Sequence, residues 1–545
     1  MKDNFHLSMT WLHTWTGLVV GWVLFFIFVT GTAGYFYMEI DRWMRPEQPL
    51  QSKPVAADFA VAMAEKHLQS RAPDADSWTI NIPGARETPY LNVSWRNPPK
   101  PGEEPPQGRG GGGRFGGPSD ILDTQTGEVQ PSKPRETGGG LLLYRMHWAL
   151  HYMPYVAAAW IVGICTMFMF VAIITGVIII YKKIFKEFFT FRKGKGARSW
   201  MDMHTVISVT SLPFFIMITF SGLLFYLYTY MPLAPKILFG DEGVQRERRF
   251  FGDQGKRDGN AVPLFSLVEA LKLGEQEFGK NQVRNINVQF PGDSAATITI
   301  TPRYDRYLNE YPQLKLNGTT GEVLDNPARK VSAVEKTNNV ILALHEGVFA
   351  NTLVRWLYFL AGVLGCAMIA TGLVLWTVKR RPKAMKNGKF SFGHNLVERL
   401  NIGTVAGLPG AVAIYFLANR LIPVDIVGRR EWEVHAMFIG WLLLLIYPAF
   451  RSIKRGWIEV FWVSSALYLA LPLVNLFTTE RHLGVSLVYG DWVLAGIDLT
   501  FFALAGTFAY IAIKIKRHPS AVTKAVKVKN TTDDSTLATN EVLSS

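Results

Sequence analysis

The stretch HTWTGLVVGWVLFFIFVTGTAGYFY (13–37) is answered further along the chain by HTVISVTSLPFFIMITFSGLLFYLY (204–228). Both open on His-Thr, cross an apolar run and close on one glycine and two tyrosines. Gly31, Tyr35 and Tyr37 match Gly222, Tyr226 and Tyr228 at a constant displacement of 191 (204 − 13, 222 − 31). A second pair of runs agrees through Trp160 and Thr175-Gly176 against Trp356 and Thr371-Gly372, displaced by 196 (356 − 160, 372 − 176). Residues 1–190 and 191–385 therefore read as two copies of one unit: span, extracytoplasmic domain, span.

The rest of the composition suits such a frame. Of 545 residues, 49% are hydrophobic and only 18% charged, which excludes an ordinary soluble enzyme of this length. Trp11–Tyr37, Val156–Tyr181, Thr205–Tyr230 and Val354–Val378 each exceed the roughly 20 residues that cross a bilayer core. Ile402–Ile422, Val434–Phe450, Ile458–Phe477 and Trp492–Ile513 follow as four additional helices within 386–517, the second of them short. The expectation is an α-helical polytopic membrane protein of about eight spans with an internal duplication. Basic loops after the second span (Lys182, Lys183, Lys186, Arg192) and the fourth (Lys379, Arg380, Arg381, Lys383) place those ends in the cytoplasm. Arg451, Lys454 and Arg455, then Lys514, Lys516 and Arg517, keep the alternation, so both termini are expected inside, with 518–545 a disordered tail. These loops account for much of the net charge of +14, and no nucleic-acid partner is expected. The first span is too long for a cleavable signal and reads as an anchor. Cys165 and Cys366 both lie within spans, which leaves no disulfide framework and no C-x-x-C-H for covalent haem attachment.

Two long loops, about 39–144 and 231–340, carry the same order of elements. Each reads as a helix (Phe59–Leu68; Leu264–Phe278), strands (Trp78–Ile82 and Tyr90–Trp95; Ile286–Phe290 and Ala296–Thr301) and a Thr-Gly-Glu-Val hairpin closed at Gly127 or Gly321. Two separate small α+β domains are expected. The first carries a Pro- and Gly-rich insertion, Pro98–Pro118, with the composition of a mobile surface loop.

Five histidines stand at span ends: His13, His204, His345, and both His147 and His151 before the second span. Imidazole is the usual axial ligand of haem iron, and facing helices that level two histidines make a bis-imidazole pocket. Repeat symmetry sets His13 against His204 near the cytoplasm, and His147 or His151 against His345 near the outside. By motif His147 matches His345; His151, four residues on, is the alternative ligand or a proton relay at the outer edge. The spacing points to an intramembrane electron carrier with one haem near each face, held without covalent bonds. His435 opens a later span with no repeat partner, and His394 and His482 fall in expected surface loops.

Over residues 5–380 the chain resembles the PepSY-associated transmembrane-helix proteins of bacterial inner membranes. The resemblance rests on the His13 and His204 openings, Met-His147-Trp-Ala-Leu and Leu-His345-Glu-Gly-Val, the late Thr-Gly pairs and the two Thr-Gly-Glu-Val hairpins. It implies PepSY-like periplasmic domains, two b-type haems on His13, His204, His147 and His345, and a periplasmic reductase role with a ferric siderophore as acceptor. No flavodoxin-like or NAD-binding segment is visible, so the donor is open between a membrane quinol and a cytoplasmic flavin or NAD(P)H reductase.

Arg145 and Arg355 near the outer haem level, and Lys195 and Arg198 near the inner one, could pair with haem propionates, although interfacial snorkelling of the outer pair and positive-inside anchoring of the inner pair are the preferred reading. Gly17, Gly21, Gly31 and Gly34 suit close helix approach or a flat macrocycle, and Trp11, Trp15, Trp148 and Trp160 suit aromatic belts at the lipid surface. The alternative function is a non-enzymatic regulator or receptor whose loop domains bind a peptide or protein.

Overall fold

A computed structural model describes residues 2–518 apart from 49–54, 85, 87–89, 99–117, 131–133, 183, 185–187, 189, 191, 193, 195, 232, 234–236, 238–255, 304–312, 326–332 and 387–389. Nearly all of the Pro/Gly insertion, Lys195 and the tail beyond 518 thus lie outside the described residues. The chain divides into two compact units, 1–383 with 486–494, and 384–485 with 495–545.

In the first unit each apolar run becomes a helix because its backbone groups, out of reach of water, must bond within the segment. α1 (Lys2–Gly34) is followed, after a turn at 35–36, by a short helix, α2 (Tyr37–Trp43). After the first loop domain come α4 (Gly139–Ala149) and the second span, α5 (Tyr155–Ile180). The third span departs from expectation. It is broken at Ser211 into α6 (Ala197–Thr210) and α7 (Leu212–Phe225), bent by 68°. Pro213 explains the break, since it offers no N–H and disfavours helical backbone at the residue before it; Trp22, its repeat equivalent (213 − 191), leaves α1 unbroken. α9 (Ala333–Glu346) and α10 (Thr352–Lys386) complete the unit. Across the described residues seven helices are long and apolar enough to cross a membrane, or eight with the bent pair taken as one span.

The two loop domains are not separate. β1 (Ser77–Asn81), β2 (Leu91–Arg96) and β3 (Ser119–Leu122) join β4 (Val283–Gln289), β5 (Thr297–Pro302), β6 (Leu314–Asn317) and β7 (Val323–Asp325) in one antiparallel sheet ordered β3-β2-β1-β4-β5-β6-β7. The seam is β1 against β4, with Ile80 opposite Ile286. Strand alternation sends Ile80, Val93, Ile286, Val288, Ile298 and Ile300 to one face, where α3 (Ala57–Arg71) and α8 (Leu267–Phe278) cover them with Leu68, Leu267 and Leu271. Both expected hairpins are present. Gly127 and Gly321 each have φ of 75°, and Asp123 or Asn317 accepts the backbone N–H groups of the turn.

The second unit contains α11 (Phe392–Asn401), a π-helical turn (402–406) and α12 (Gly407–Leu421), which together make one 30-residue span that begins earlier than its apolar run suggested. α13 (Arg429–Ile446), α14 (Ile453–Thr478) and α15 (Trp492–Arg517) follow. The π turn frees carbonyls for side chains: Trp441 Nε1 donates to Gly403 O at 3.1 Å, and Ser464 Oγ to Ala406 O at 2.7 Å. His394, expected in a surface loop, is buried on α11 with Nε2 3.4 Å from Glu398. The apolar scan missed this turn because its buried face is polar. One end of the unit holds a buried neutral network: Arg429 pairs with Glu433, Asn419 Nδ2 donates to Glu433 at 2.8 Å, Arg420 Nε to Asn475 at 2.9 Å and Asn475 Nδ2 to Asp498 at 3.3 Å. Charges removed from water persist only when paired in this way.

Candidate functional site: two histidine pairs

Each of four histidines is seated by a helix of its own copy. His13 Nδ1, on α1, donates to Ala172 O of α5 at 2.8 Å, with Thr175 Oγ1 at 3.4 Å. His204 Nδ1, on α6, reaches Met368 O at 3.0 Å and Thr371 Oγ1 at 3.1 Å on α10. His147, on α4, donates to Ile27 O of α1 at 2.8 Å. His345, on α9, donates to Ser221 Oγ of α7 at 2.8 Å and also meets the Ile218 backbone.

The backbone groups share one rule: Ala172, Met368, Ile27 and Ile218 each stand four residues before a glycine, at 176, 372, 31 and 222. A helical side chain leans over the preceding turn and would cover that carbonyl, so only glycine leaves it open to an incoming ring. A Cβ on Gly176 or Gly222 would stand 3.1 Å from Cε1 of His13 or His345, one on Gly372 3.3 Å from Cε1 of His204, and one on Gly31 would overlap the His147 ring. Gly17 faces open space, Gly21 meets Leu373 and Gly34 meets Tyr144, so of that row only Gly31 serves a histidine.

A carbonyl can only accept, and Ser221 already gives its proton to Met217 O at 2.6 Å, so each Nδ1 carries the hydrogen and each Nε2 keeps its lone pair. Carbonyl-anchored Nδ1–H with Nε2 available is the usual arrangement of a metal-ligating imidazole. The rings then pair across copies. His13 and His204 have ring centres 6.3 Å apart with planes at 68°; His147 and His345 stand 6.0 Å apart at 40°. Two metal–nitrogen bonds of about 2 Å, each continued about 1.1 Å to a ring centre, would set the centres about 6 Å apart. The residues present therefore fit an iron held between each pair.

His151 is not one of the four residues that form the two histidine couples. It lies on the turn after α4, between Leu150 (φ 50°) and Tyr152 (φ 62°), its ring 4.2 Å from that of Tyr152. His435 packs edge-on against Trp432 at 5.5 Å on α13. Among the described residues no group of three or more His, Cys, Asp or Glu gathers as a metal cluster.

From His13 to Ile27 along α1 is 14 residues, which at 1.5 Å each separates the two pairs by about 21 Å. Phe28 and the buried Phe215 lie in the apolar core between them, edge to face at 6.5 Å. On the sheet side, Tyr358 OH donates to Leu344 O, beside His345, at 2.9 Å, and its ring meets Tyr35 at 5.2 Å.

One turn beyond stands a cluster that sequence reading missed in part. Arg86 gives both Nε and Nη2 to Glu39 at 2.8 Å, and Arg355 pairs with the same carboxylate. Burial works against the Glu39 charge, but the Arg86 hydrogen bond and the two guanidiniums outweigh it and hold the carboxyl below its ordinary range. Glu39 carried no signal because its partners come from a loop turn and from another copy. On the opposite side of the bundle Arg198 lies 3.6 Å from the buried Asp202, which Arg192 also binds at 2.7 Å. Arg145 is partly buried on α4, as is Trp148, while Trp11, Trp15 and Trp160 are exposed, as belt residues are.

The family model described as the PepSY-associated TM region matches residues 10–379, a span that includes all four paired histidines. No curated protein matches the chain.

Proposed function

Because the chain belongs to the PepSY-associated TM region family and is a multi-span membrane protein, we propose that it is an inner-membrane oxidoreductase that holds two non-covalent b-type haems and reduces a ferric chelate, foremost a siderophore, in the periplasm. The observation that carries this reading is the pair of cross-copy imidazole couples, 6.3 and 6.0 Å apart, with every Nδ1 anchored. Two imidazoles are a complete protein ligand set for a porphyrin iron and an incomplete one for a bare divalent ion.

Haem bound at these couples would supply one-electron redox chemistry. His13 and His204 would hold one group, His147 and His345 the other. The carbonyls and hydroxyls of α1, α5, α7 and α10 fix the ring tautomer, and the four glycines admit the rings. Phe28 and Phe215 keep water from the space between the couples. Electrons would enter on the side of His13 and His204, from quinol or a cytoplasmic flavin or NAD(P)H reductase, and leave under the sheet. One electron there converts one Fe(III) to Fe(II), which its chelator binds more weakly.

The test is haem content and sidedness. Purified protein should carry about two b haems per chain, His204→Ala about one. In oriented vesicles a membrane-impermeant ferric chelate should reoxidise the reduced protein from the sheet side, and His345→Ala should abolish that reoxidation. A colourless protein, or reoxidation only from the side of His13 and His204, refutes the reading.

A further inference from the structure

Among the described residues the Glu39 cluster is one anion short. Arg86 and Arg355 share a single carboxylate, so the group carries an excess positive charge, and Glu39 and Arg355 each retain only 8% of their exposure. Arg355 spends Nη1 on Glu39 and Nη2 on Thr352 Oγ1 at 3.3 Å, while its buried Nε–H has no partner among the described residues. Buried guanidinium hydrogens are normally satisfied, and an uncompensated buried charge is costly. The deficit is also one-sided. By the repeat displacements Glu39 corresponds to Tyr230 (39 + 191) and Arg355 to Ala159 (355 − 196). There the same inter-copy contact is neutral, a Tyr230 hydroxyl donating to Ala159 O at 2.6 Å. The scaffold does not require the charges, since its other half closes without them.

We propose that Arg355 and Arg86 form a carboxylate-binding site at the sheet end of the bundle, with the Arg355 Nε–H as the donor awaiting the anion. Guanidinium is the side chain suited to carboxylate at a desolvated position. Two sources offer that chemistry: a propionate of the haem held by His147 and His345, which rests on the function proposed above, or a carboxylate of the incoming ferric chelate. Arg355 lies one helical turn from Tyr358, whose hydroxyl bonds beside His345, so either can reach it. Because the site is on one side only, it would orient whichever group binds.

The experiment uses the full-length protein in detergent, with Arg355→Leu, Arg355→Lys and Arg86→Met. Arg86→Met is on a partly exposed turn and covers the case in which Arg355→Leu fails to fold. In haem-free protein, millimolar propionate should raise the thermal midpoint above that in chloride at matched ionic strength. Arg355→Leu and Arg86→Met should abolish the difference, and Arg355→Lys, which keeps the charge without the Nε–H, should reduce it. If propionate protects wild type no more than chloride does, the site is refuted. Haem-loaded protein separates the sources. For a haem propionate, added propionate no longer protects and both neutralising variants lower the potential of the sheet-side haem. For an acceptor carboxylate, protection persists, potentials stay put, and KM for a carboxylate-bearing chelate rises about tenfold, the loss of one charge-assisted hydrogen bond, while that for a neutral hydroxamate does not. Protein that never binds haem refutes the function above, yet its response to propionate still decides the carboxylate site.

Discussion

Gly31→Ala should remove the sheet-side haem and leave the other in place. The added Cβ overlaps the His147 ring, which has to rotate or withdraw, giving up its 2.8 Å bond to Ile27 O. A lost hydrogen bond costs about 0.5–1.5 kcal/mol and an off-rotamer ring a similar amount, so the imidazole is displaced at about 1–3 kcal/mol. Against this, Gly→Ala within a helix returns up to about 1 kcal/mol, so the fold itself survives. Loss of such a ligand-orienting bond lowers metal affinity about 10–100-fold. The glycines grade the effect: Gly176→Ala and Gly222→Ala, with contacts of 3.1 Å, should be milder than Gly31→Ala, Gly372→Ala at 3.3 Å milder still, and Gly17→Ala, in open space, should change nothing. Haem per chain by pyridine haemochrome, with the thermal midpoint as a control for folding, reads the series. Two haems retained in Gly31→Ala, or equal losses at Gly31 and Gly17, would show that the glycines do not make room for the rings.

Ile286→Ala, at the seam of the sheet, should cost about 2–5 kcal/mol and raise amide exchange in β1 as well as β4; exchange confined to β4 would mean that the two loop domains fold separately. Glu39→Gln tests the charge cluster. The folded carboxyl lies below its unfolded value of about 4.3, so its contribution is complete above that pH and is lost as pH falls through the lower folded value. Wild type should therefore lose stability in that acidic window, whereas Glu39→Gln starts less stable at neutral pH and is flatter across it; parallel profiles would refute the pairing. Phe215→Ala should slow electron transfer between the couples with both haems retained, as followed by flash reduction, and an unchanged rate would exclude Phe215 from the path.

The bundle was legible because its determinants are local and repeated. A constant displacement ties His13 to His204 and Gly31 to Gly222, and repeat symmetry turns equal position into facing position. The choice between His147 and His151 was not, because a helix face admits both until Leu150 and Tyr152 take up positive φ and carry the chain off the helix. The joined sheet was also hidden. Strands β1 and β4 lie about 200 residues apart, and alternation within each strand says which face is buried but not which edge finds a partner. Pro213 could have announced the bend in the third span. His394 and Glu398 sit at i and i+4, a helical spacing that apolar scanning overlooks when the inward face is polar.

Each imidazole is gripped by a helix of its own copy but looks toward the other copy. Neither half of the duplication can present two opposed rings by itself. A chain carrying one copy could do so only by meeting its twin about a two-fold axis, and its opposed rings would then exist only above some protein concentration. Fusion of the copies makes that encounter intramolecular, so the couples persist in a dilute membrane. It also frees the halves to diverge: once the twins are no longer identical by necessity, one flank can acquire Glu39, Arg86 and Arg355 while the other keeps a plain tyrosine.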